Sequence, residues 1–213
     1  MQEFIRARSP EQKEQRLSQI KDVVKHQFAS HPYHEITLTT IAEELGWSRA
    51  NLYKYVSTKE EIFLLLTADE CSAYYDALLT ALPVGCEFSI PTIAEVWAGI
   101  ANAHKEFFRL SDLLSTIIET NVTVERLKDF KRCYYDCLAK MQERLPQIMS
   151  LNRDAVEPLM LAIYYHAIGY VNGFCSNPLV AEALEQLNIQ RQQIDFRSEM
   201  GDFISMCLAH YIE

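Results

Sequence analysis

The chain has 213 residues, of which 49% are hydrophobic and 23% charged, values that exclude wholesale disorder and allow a sizeable core. It contains only 6 glycines and 7 prolines, which favours long helices over a turn-rich β architecture. Its formal charge of −9 is carried unevenly: residues 1–67 hold nine Lys/Arg against nine Asp/Glu, whereas residues 68–213 hold eleven against twenty. The neutral N-terminal part can still offer phosphate a basic face if its cations converge, and the acidic remainder is repelled by nucleic acid.

The start, Met1 to Arg8, is charged and has no apolar segment of the kind that directs secretion. No apolar stretch is long enough to span a bilayer. The expectation is a cytoplasmic protein without membrane association, whose cysteines (Cys71, Cys86, Cys133, Cys137, Cys175 and Cys207) are reduced. Cys133 and Cys137 stand one helical turn apart, a spacing that raises metal or redox chemistry. No second such pair or His cluster accompanies them, so structural thiols and no metal are expected.

Pro10 to Ser30 is predicted as a helix, because Leu17, Ile20, Val23, Val24, Gln27 and Phe28 recur at helical spacing with charges on the other face. The run His31-Pro32-Tyr33-His34-Glu35 breaks it, and its two histidines read as solvated turn residues. Thr37 is placed to cap a short helix from Leu38 to Leu45, ended by Gly46, which tolerates the positive φ of a tight turn. A third helix is predicted over Ser48–Val56, capped by Ser48. Ser57 and Glu60 have capping-box spacing at the start of a long fourth helix running to Leu82. After the loop Pro83–Pro91, helices are predicted over Thr92–Phe108, Ser111–Glu119, Val124–Arg144 and Asp154–Cys175. Ser176-Asn177-Pro178 breaks the pattern, and Leu179–Leu187 and Phe196–Tyr211 complete it. Strand alternation, low-complexity tracts and internal repeats are absent from the sequence.

Residues Thr37 to Lys59 read TLTTIAEELGWSRANLYKYVSTK. Leu38, Ile41, Ala42, Leu45, Leu52 and Val56 can hold one short helix against a second across the Gly46 turn, with Ala42 small at the crossing. This is a helix-turn-helix arrangement, whose second helix enters the major groove. Ser48, Arg49, Ala50 and Asn51 lie at the N-terminal end of that second helix, where base edges are reached. Arg49 can donate twice to guanine, and Asn51 can pair with adenine or bond a phosphate. Tyr53 and Lys54 suit backbone phosphates, and Lys59 can reach a phosphate beside the free N–H groups of the fourth helix.

The stretch IAEELGWSRANLYKYVSTKEEIF resembles the DNA-binding signature of the TetR family of bacterial repressors, through Ile41-Ala42, Gly46, Ser48, Leu52-Tyr53 and Lys59-Glu60. The signature follows one amphipathic helix near the N-terminus, as in that family, and a helical remainder follows it. Trp47, where the family usually has a small aliphatic residue, is expected to pack at the turn. His31-Pro32 replaces a common glycine, so that loop's path is expected to differ.

The resemblance implies an all-α fold of about nine or ten helices. A three-helix DNA-binding domain would occupy residues 1–58, and a larger ligand-binding and dimerisation domain residues 59–213. It implies a homodimer that binds a palindromic double-stranded operator and is released by a small, partly apolar effector, with no enzymatic activity and no cofactor. Thr39, Arg49, Ala50 and Asn51 become candidate base or groove contacts, and Tyr53, Lys54 and Lys59 candidate phosphate contacts. Arg49→Ala would relax operator specificity, and Lys59→Ala would weaken binding to all sequences.

The resemblance also implies an effector pocket between helices four and eight. Its aromatic and polar candidates are Tyr74, Trp97, His104 and Phe108, then Asn121, Phe130, Tyr134 and Tyr164; ordinary core packing is the alternative for each. A dimer surface is expected on the last two long helices. On the first, Ala162, Tyr165 or His166, Gly169 and Gly173 form a stripe that a partner helix could approach closely. On the second lie Phe203, Met206 and His210. Two other readings remain: a helix-turn-helix regulator governed by a protein partner or thiol oxidation, and a helical enzyme. The sequence contains no Gly-rich phosphate loop, no HExxH and no nucleophile elbow.

Overall fold

The computed structural model describes residues 10–174, 178–190 and 195–212. Among the described residues the fold is helical throughout, with one isolated bridge between Leu151 and Ile212 and no strand. The helices are α1 (Pro10–Ser30), α2 (Leu38–Glu44), α3 (Arg49–Leu52), α4 (Lys59–Ala81), α5 (Ile90–Ala103), α6 (Lys105–Leu113), α7 (Val124–Ile148), α8 (Arg153–Phe174), α9 (Pro178–Gln186) and α10 (Phe196–Tyr211). Cys175, Ser176 and Asn177 lie outside the described residues.

The chain divides into two compact units. The first comprises Met1–Thr67 with Leu114–Phe130, and the second Ala68–Leu113 with Lys131–Glu213. The division falls within α4 rather than before it, and a later segment joins the first unit.

In the first unit, α1 ends where predicted, and His31 accounts for part of the stop by bringing its ring nitrogen to the Gln27 carbonyl at 3.2 Å. A 3-10 turn, Tyr33–Glu35, fills the predicted break. Ile20, Val24 and Phe28 of α1, Ile41 and Ala42 of α2, Leu52 of α3, and Ile62 and Phe63 of α4 are all buried. Phe63 takes Phe28 and Tyr33 edge-on, at 5.3 and 5.0 Å between ring centres. Gln27 belongs to this buried face although it is polar. Its amide donates to the Thr40 carbonyl and to Glu44, and its carbonyl accepts from the Thr40 hydroxyl, so α1 and α2 are joined by a satisfied polar clamp.

The second unit is built on α5, α8 and α10, with α6 packed on α8. Helix α10 packs on α5 around Gly201 and Ala98; a Cβ at Gly201 would stand 3.8 Å from that of Ala98, an ordinary contact, so this crossing does not require glycine. Trp97, Tyr74, Phe107 and Phe108 form its aromatic centre. Arg144 of α7 donates to the Leu79 and Leu82 carbonyls at 2.6 and 2.7 Å, satisfying orphan acceptors at the end of α4.

Three predicted boundaries move. The helix expected over Thr92–Phe108 breaks at His104, whose φ of −109° and ψ of 33° leave the helical region, and α6 restarts at once. The following turns widen into a π-helix, Leu114–Ile118, closed by Glu119 N–H to Leu114 O at 2.9 Å. Helix α7 continues past Arg144 through Pro146 to Ile148.

Candidate functional site

The helix-turn-helix is held by local chemistry. Thr37 caps α2 through a reciprocal pair with Thr40, each backbone N–H donating to the other's hydroxyl at 3.1 Å. The turn after α2 is closed by two bonds, Trp47 N–H to Ala42 O at 2.8 Å and Gly46 N–H to Glu43 O at 3.0 Å. Gly46 sits at φ +66° between them, so a Schellman motif ends the helix where glycine carries no Cβ penalty. Ser48 then caps α3, accepting from Asn51 N–H at 3.2 Å. The α-helical part of α3 is shorter than expected; its continuation tightens into bonds from Lys54 N–H to Asn51 O and Tyr55 N–H to Leu52 O. Trp47 packs at the turn, 5.7 Å from the Tyr55 ring, with the Arg16 guanidinium 5.2 Å above it.

Of the eight residues predicted to face DNA, Thr39, Ser48, Arg49, Ala50, Tyr53 and Lys54 are exposed. Arg49 lies along Tyr53, donating to its hydroxyl at 3.1 Å with the guanidinium 5.8 Å from the ring centre. The other two differ from expectation. Asn51 is only 7% exposed, and its side-chain oxygen accepts from Lys54 Nζ at 3.2 Å, so its amide is turned inward rather than offered to a base edge. Lys59 is half-buried; its ammonium donates to the Tyr33 and Ile36 carbonyls, both at 2.8 Å, and rests 3.8 Å from the Tyr33 ring centre. Burial holds its pKa below the usual lysine value, partly opposed by Glu60.

The same loop is tied down a second time, since the Tyr33 hydroxyl donates to Glu60 at 2.5 Å. Burial and that carboxylate push the phenol's pKa up. Glu60 is therefore not the capping-box partner of Ser57. Thr58 caps the helix instead, accepting from Glu61 N–H, while the Glu61 carboxylate accepts from the N–H of Ser57, one residue before that cap. The Lys59–Tyr33–Glu60 arrangement was not legible locally, because its partners are separated by a loop and two helices.

The effector candidates divide between the units. Tyr74, Trp97, His104, Phe108, Tyr134 and Tyr164 belong to the second, whereas Asn121 and Phe130 belong to the first. Asn121 is exposed, and its amide donates to the Ile117 carbonyl and the Thr120 hydroxyl within its own turn. Phe130 is buried. Tyr74, Trp97 and Phe108 are fully packed, with the Trp97 indole donating to Tyr74 at 2.6 Å. His104, Tyr134 and Tyr164 are half-buried at the margin of that cluster. A surface recess of about 380 Å³ lies between α5 and α10, lined by Ala94, Glu95, Ala98, Arg197 and Gly201, and none of the candidates lines it.

On the predicted dimer surface, Tyr165, Gly169, Met206 and His210 are exposed, and Ala162 is half-buried. His166 and Phe203 instead stack on each other, rings parallel within 3° and 3.6 Å apart, tying α8 to α10. Burial lowers the His166 pKa, opposed by Glu199, whose carboxylate is 3.8 Å from Nε2. The environment of Gly173 lies outside the described residues. Among the described residues no helix is long and apolar enough to cross a membrane, and no three His, Cys, Asp or Glu side chains form a metal-holding group.

The structure is similar to a tetR-family regulatory protein from Rhodococcus RHA1, at 16% identity, TM-score 0.57 and coverage of 92% of this chain and 96% of that one. It is also similar to the fatty acid degradation regulator FadR from Bacillus halodurans (13% identity, TM-score 0.60, 95% and 97% covered). A TetR/AcrR-family regulator from Thermobifida fusca matches with 18% identity, TM-score 0.58, and 93% and 100% covered. No curated protein matches the sequence significantly. Residues 22–66 match the family described as bacterial regulatory proteins, tetR family, and residues 68–209 match the tetracyclin repressor-like C-terminal domain. With both parts of the chain matched in the expected order, this protein belongs to the TetR family of bacterial transcriptional regulators.

Proposed function

We propose that the protein is a ligand-responsive transcriptional repressor that binds a palindromic DNA operator as a homodimer and is released by a small, partly apolar effector. The observation that carries the DNA-binding part is the exposed ridge Ser48, Arg49, Ala50, Tyr53 and Lys54 on a recognition segment fixed by the Gly46 turn and the Ser48 cap. Such a ridge suits the major groove, with Arg49 for a guanine edge and Lys54 for phosphate. Thr39, exposed on α2, is assigned to the flanking backbone. Asn51 and Lys59 are assigned to holding the reading head rather than to DNA.

Dimerisation is assigned to the outer faces of α8 and α10, where Tyr165 and Met206 are 65% and 61% exposed. Two heads related by a two-fold axis match a palindromic site. For the effector, the half-buried His104, Tyr134 and Tyr164 beside the aromatic cluster are the favoured anchors. They offer polar tips on apolar walls, which suits a ligand with both characters. Ligand binding would shift the population toward an arrangement whose head spacing mismatches successive grooves.

Selection of bound DNA from a random pool tests the reading. Enrichment of a palindrome with half-sites about one helical turn apart is the expected result. Recovery of no common sequence would overturn it.

A further inference from the structure

The sequence places Cys133 and Cys137 on one face of α7, and the second unit brings a third thiol to them. Helices α4 and α7 run parallel there: Cys133 contacts the Ala68 carbonyl at 3.9 Å and the Ser72 hydroxyl at 3.2 Å, while Arg144 reaches Leu79 and Leu82. That register sets Cys137 against the turn of α4 that carries Cys71. Cys71 and Cys137 are both buried in the core of this unit, and Cys71 and Cys133 are the sulfur neighbours that act on the Cys137 thiol. Cys71 is fully buried, Cys137 retains 5% exposure, and Cys133 is half-buried at the solvent edge.

This arrangement separates the roles of the sulfurs. The neighbouring Cys71 thiol and Lys140 favour negative charge on Cys137, against burial and Asp76, and hold its pKa below the ordinary thiol value. Cys71, fully buried beside Cys137, is held well above the ordinary thiol value and stays protonated. A sulfur with thiolate character beside a protonated thiol is the pairing that two-electron thiol oxidation needs.

We propose that this trio is an oxidation site at which a hydroperoxide links Cys71 to Cys137 across α4 and α7. The Cys137 sulfur attacks the terminal peroxide oxygen and the O–O bond breaks. Cys137 is oxidised by two electrons to a sulfenic acid, and the peroxide is reduced to water or, from an alkyl hydroperoxide, to the alcohol. The Cys71 sulfur then attacks the Cys137 sulfur, the S–O bond breaks, and hydroxide leaves with the Cys71 proton as water. Two thiols and one hydrogen peroxide thus give one disulfide and two waters. The bond would pin the part of α4 that follows the reading head to α7. Any effect on operator affinity rests on the DNA-binding reading above; the cross-link chemistry does not.

The test is treatment of the reduced, folded full chain with hydrogen peroxide, followed by alkylation with N-ethylmaleimide and peptide mass mapping. The expected result is loss of two alkylatable thiols and a cross-linked peptide pair containing Cys71 and Cys137. Cys133→Ala should retain that pair, whereas Cys71→Ala and Cys137→Ala should lose it, each with an unchanged circular dichroism spectrum as the folding control. A linkage through Cys86, a Cys133–Cys137 bond, or full alkylation after excess peroxide would overturn the proposal. A correct cross-link in a protein that binds no DNA in either redox state would support the oxidation site and count against the DNA reading alone.

Discussion

The Lys59 ammonium sits against Tyr33 twice over, 2.8 Å from its carbonyl oxygen and 3.8 Å from its ring centre. A second bond, to the Ile36 carbonyl, makes Lys59 the pin that holds the loop between α1 and α2 to the start of α4. Charge-assisted bonds of this kind contribute roughly 1.5–3 kcal/mol each when buried, less where water competes. Lys59→Met keeps most of the stem and removes the charge, and should destabilise the protein by about 2 kcal/mol. Urea denaturation measures this directly. The salt dependence of DNA binding should change little, whereas a phosphate contact would lower its slope by about one. A stable variant with a reduced salt slope would restore the phosphate role expected from the sequence alone.

Arg49 is the exposed cation at the start of α3, and only Tyr53 engages its guanidinium in the bonds described above. Arg49→Ala should cost about 1–3 kcal/mol at the selected operator and much less on scrambled DNA. Titrations of both DNAs by fluorescence anisotropy give the ratio. Equal losses on both would mean that Arg49 meets phosphate only.

Gly46 has φ +66° with nothing within 4 Å of where a Cβ would stand. Its requirement is therefore one of backbone and not of space. Gly46→Ala should cost about 1 kcal/mol, and Gly46→Asn less, because asparagine visits the left-handed region more readily. Thermal unfolding of the two variants would show the order Gly, Asn, Ala; an alanine variant as stable as the parent would exclude a left-handed turn.

The clamp on Glu44 gives the first unit an acid-sensitive element. The Gln27 amide is the main cause holding this carboxyl below its ordinary value of 4.5, with the His26 ring adding to it. A lowered folded pKa means that the stabilisation is complete above the unfolded value and is lost as pH falls through the folded one. The parent should lose more stability than Glu44→Gln between neutral pH and the region below 4.5. Urea midpoints across that range test it, and parallel curves for the two proteins would sink the assignment.

These residues show which parts of the molecule a sequence can disclose. The caps at Thr37 and Ser48 and the turn at Gly46 are local chemistry, each made with partners no more than five residues away, and all three stand where the pattern put them. Gln27 was legible only as a member of the α1 stripe, because nothing local reveals that its partners are Thr40 and Glu44. The break at His104 carries no Gly or Pro signal, and continuing the helix was the reasonable expectation. Asn51 looked like a base reader because its residue type suits adenine; burial is a tertiary property that type does not encode. Cys71 gave no hint of its neighbours until α4 and α7 were set in register.

The bond between Trp97 and Tyr74 separates a core role from a ligand role for two effector candidates. The indole N–H donates to the phenol oxygen at 2.6 Å, with Trp97 completely buried and Tyr74 3% exposed. Tyr74 also stacks on Phe107 at 5.3 Å and meets Phe108 edge-on, so its ring is enclosed by neighbours of its own unit. Tyr74→Phe leaves the indole donor buried without an acceptor and should cost about 1–3 kcal/mol. Trp97→Phe leaves the phenol without its donor and also opens space, so its cost should be larger, roughly 3 kcal/mol. The double variant removes both halves of the bond and strands neither group. Its loss should fall short of the sum of the single losses by about 1 kcal/mol. Denaturant unfolding of the four proteins completes the cycle. Strict additivity would show that the bond contributes nothing to folding, and would return both residues to consideration as ligand contacts.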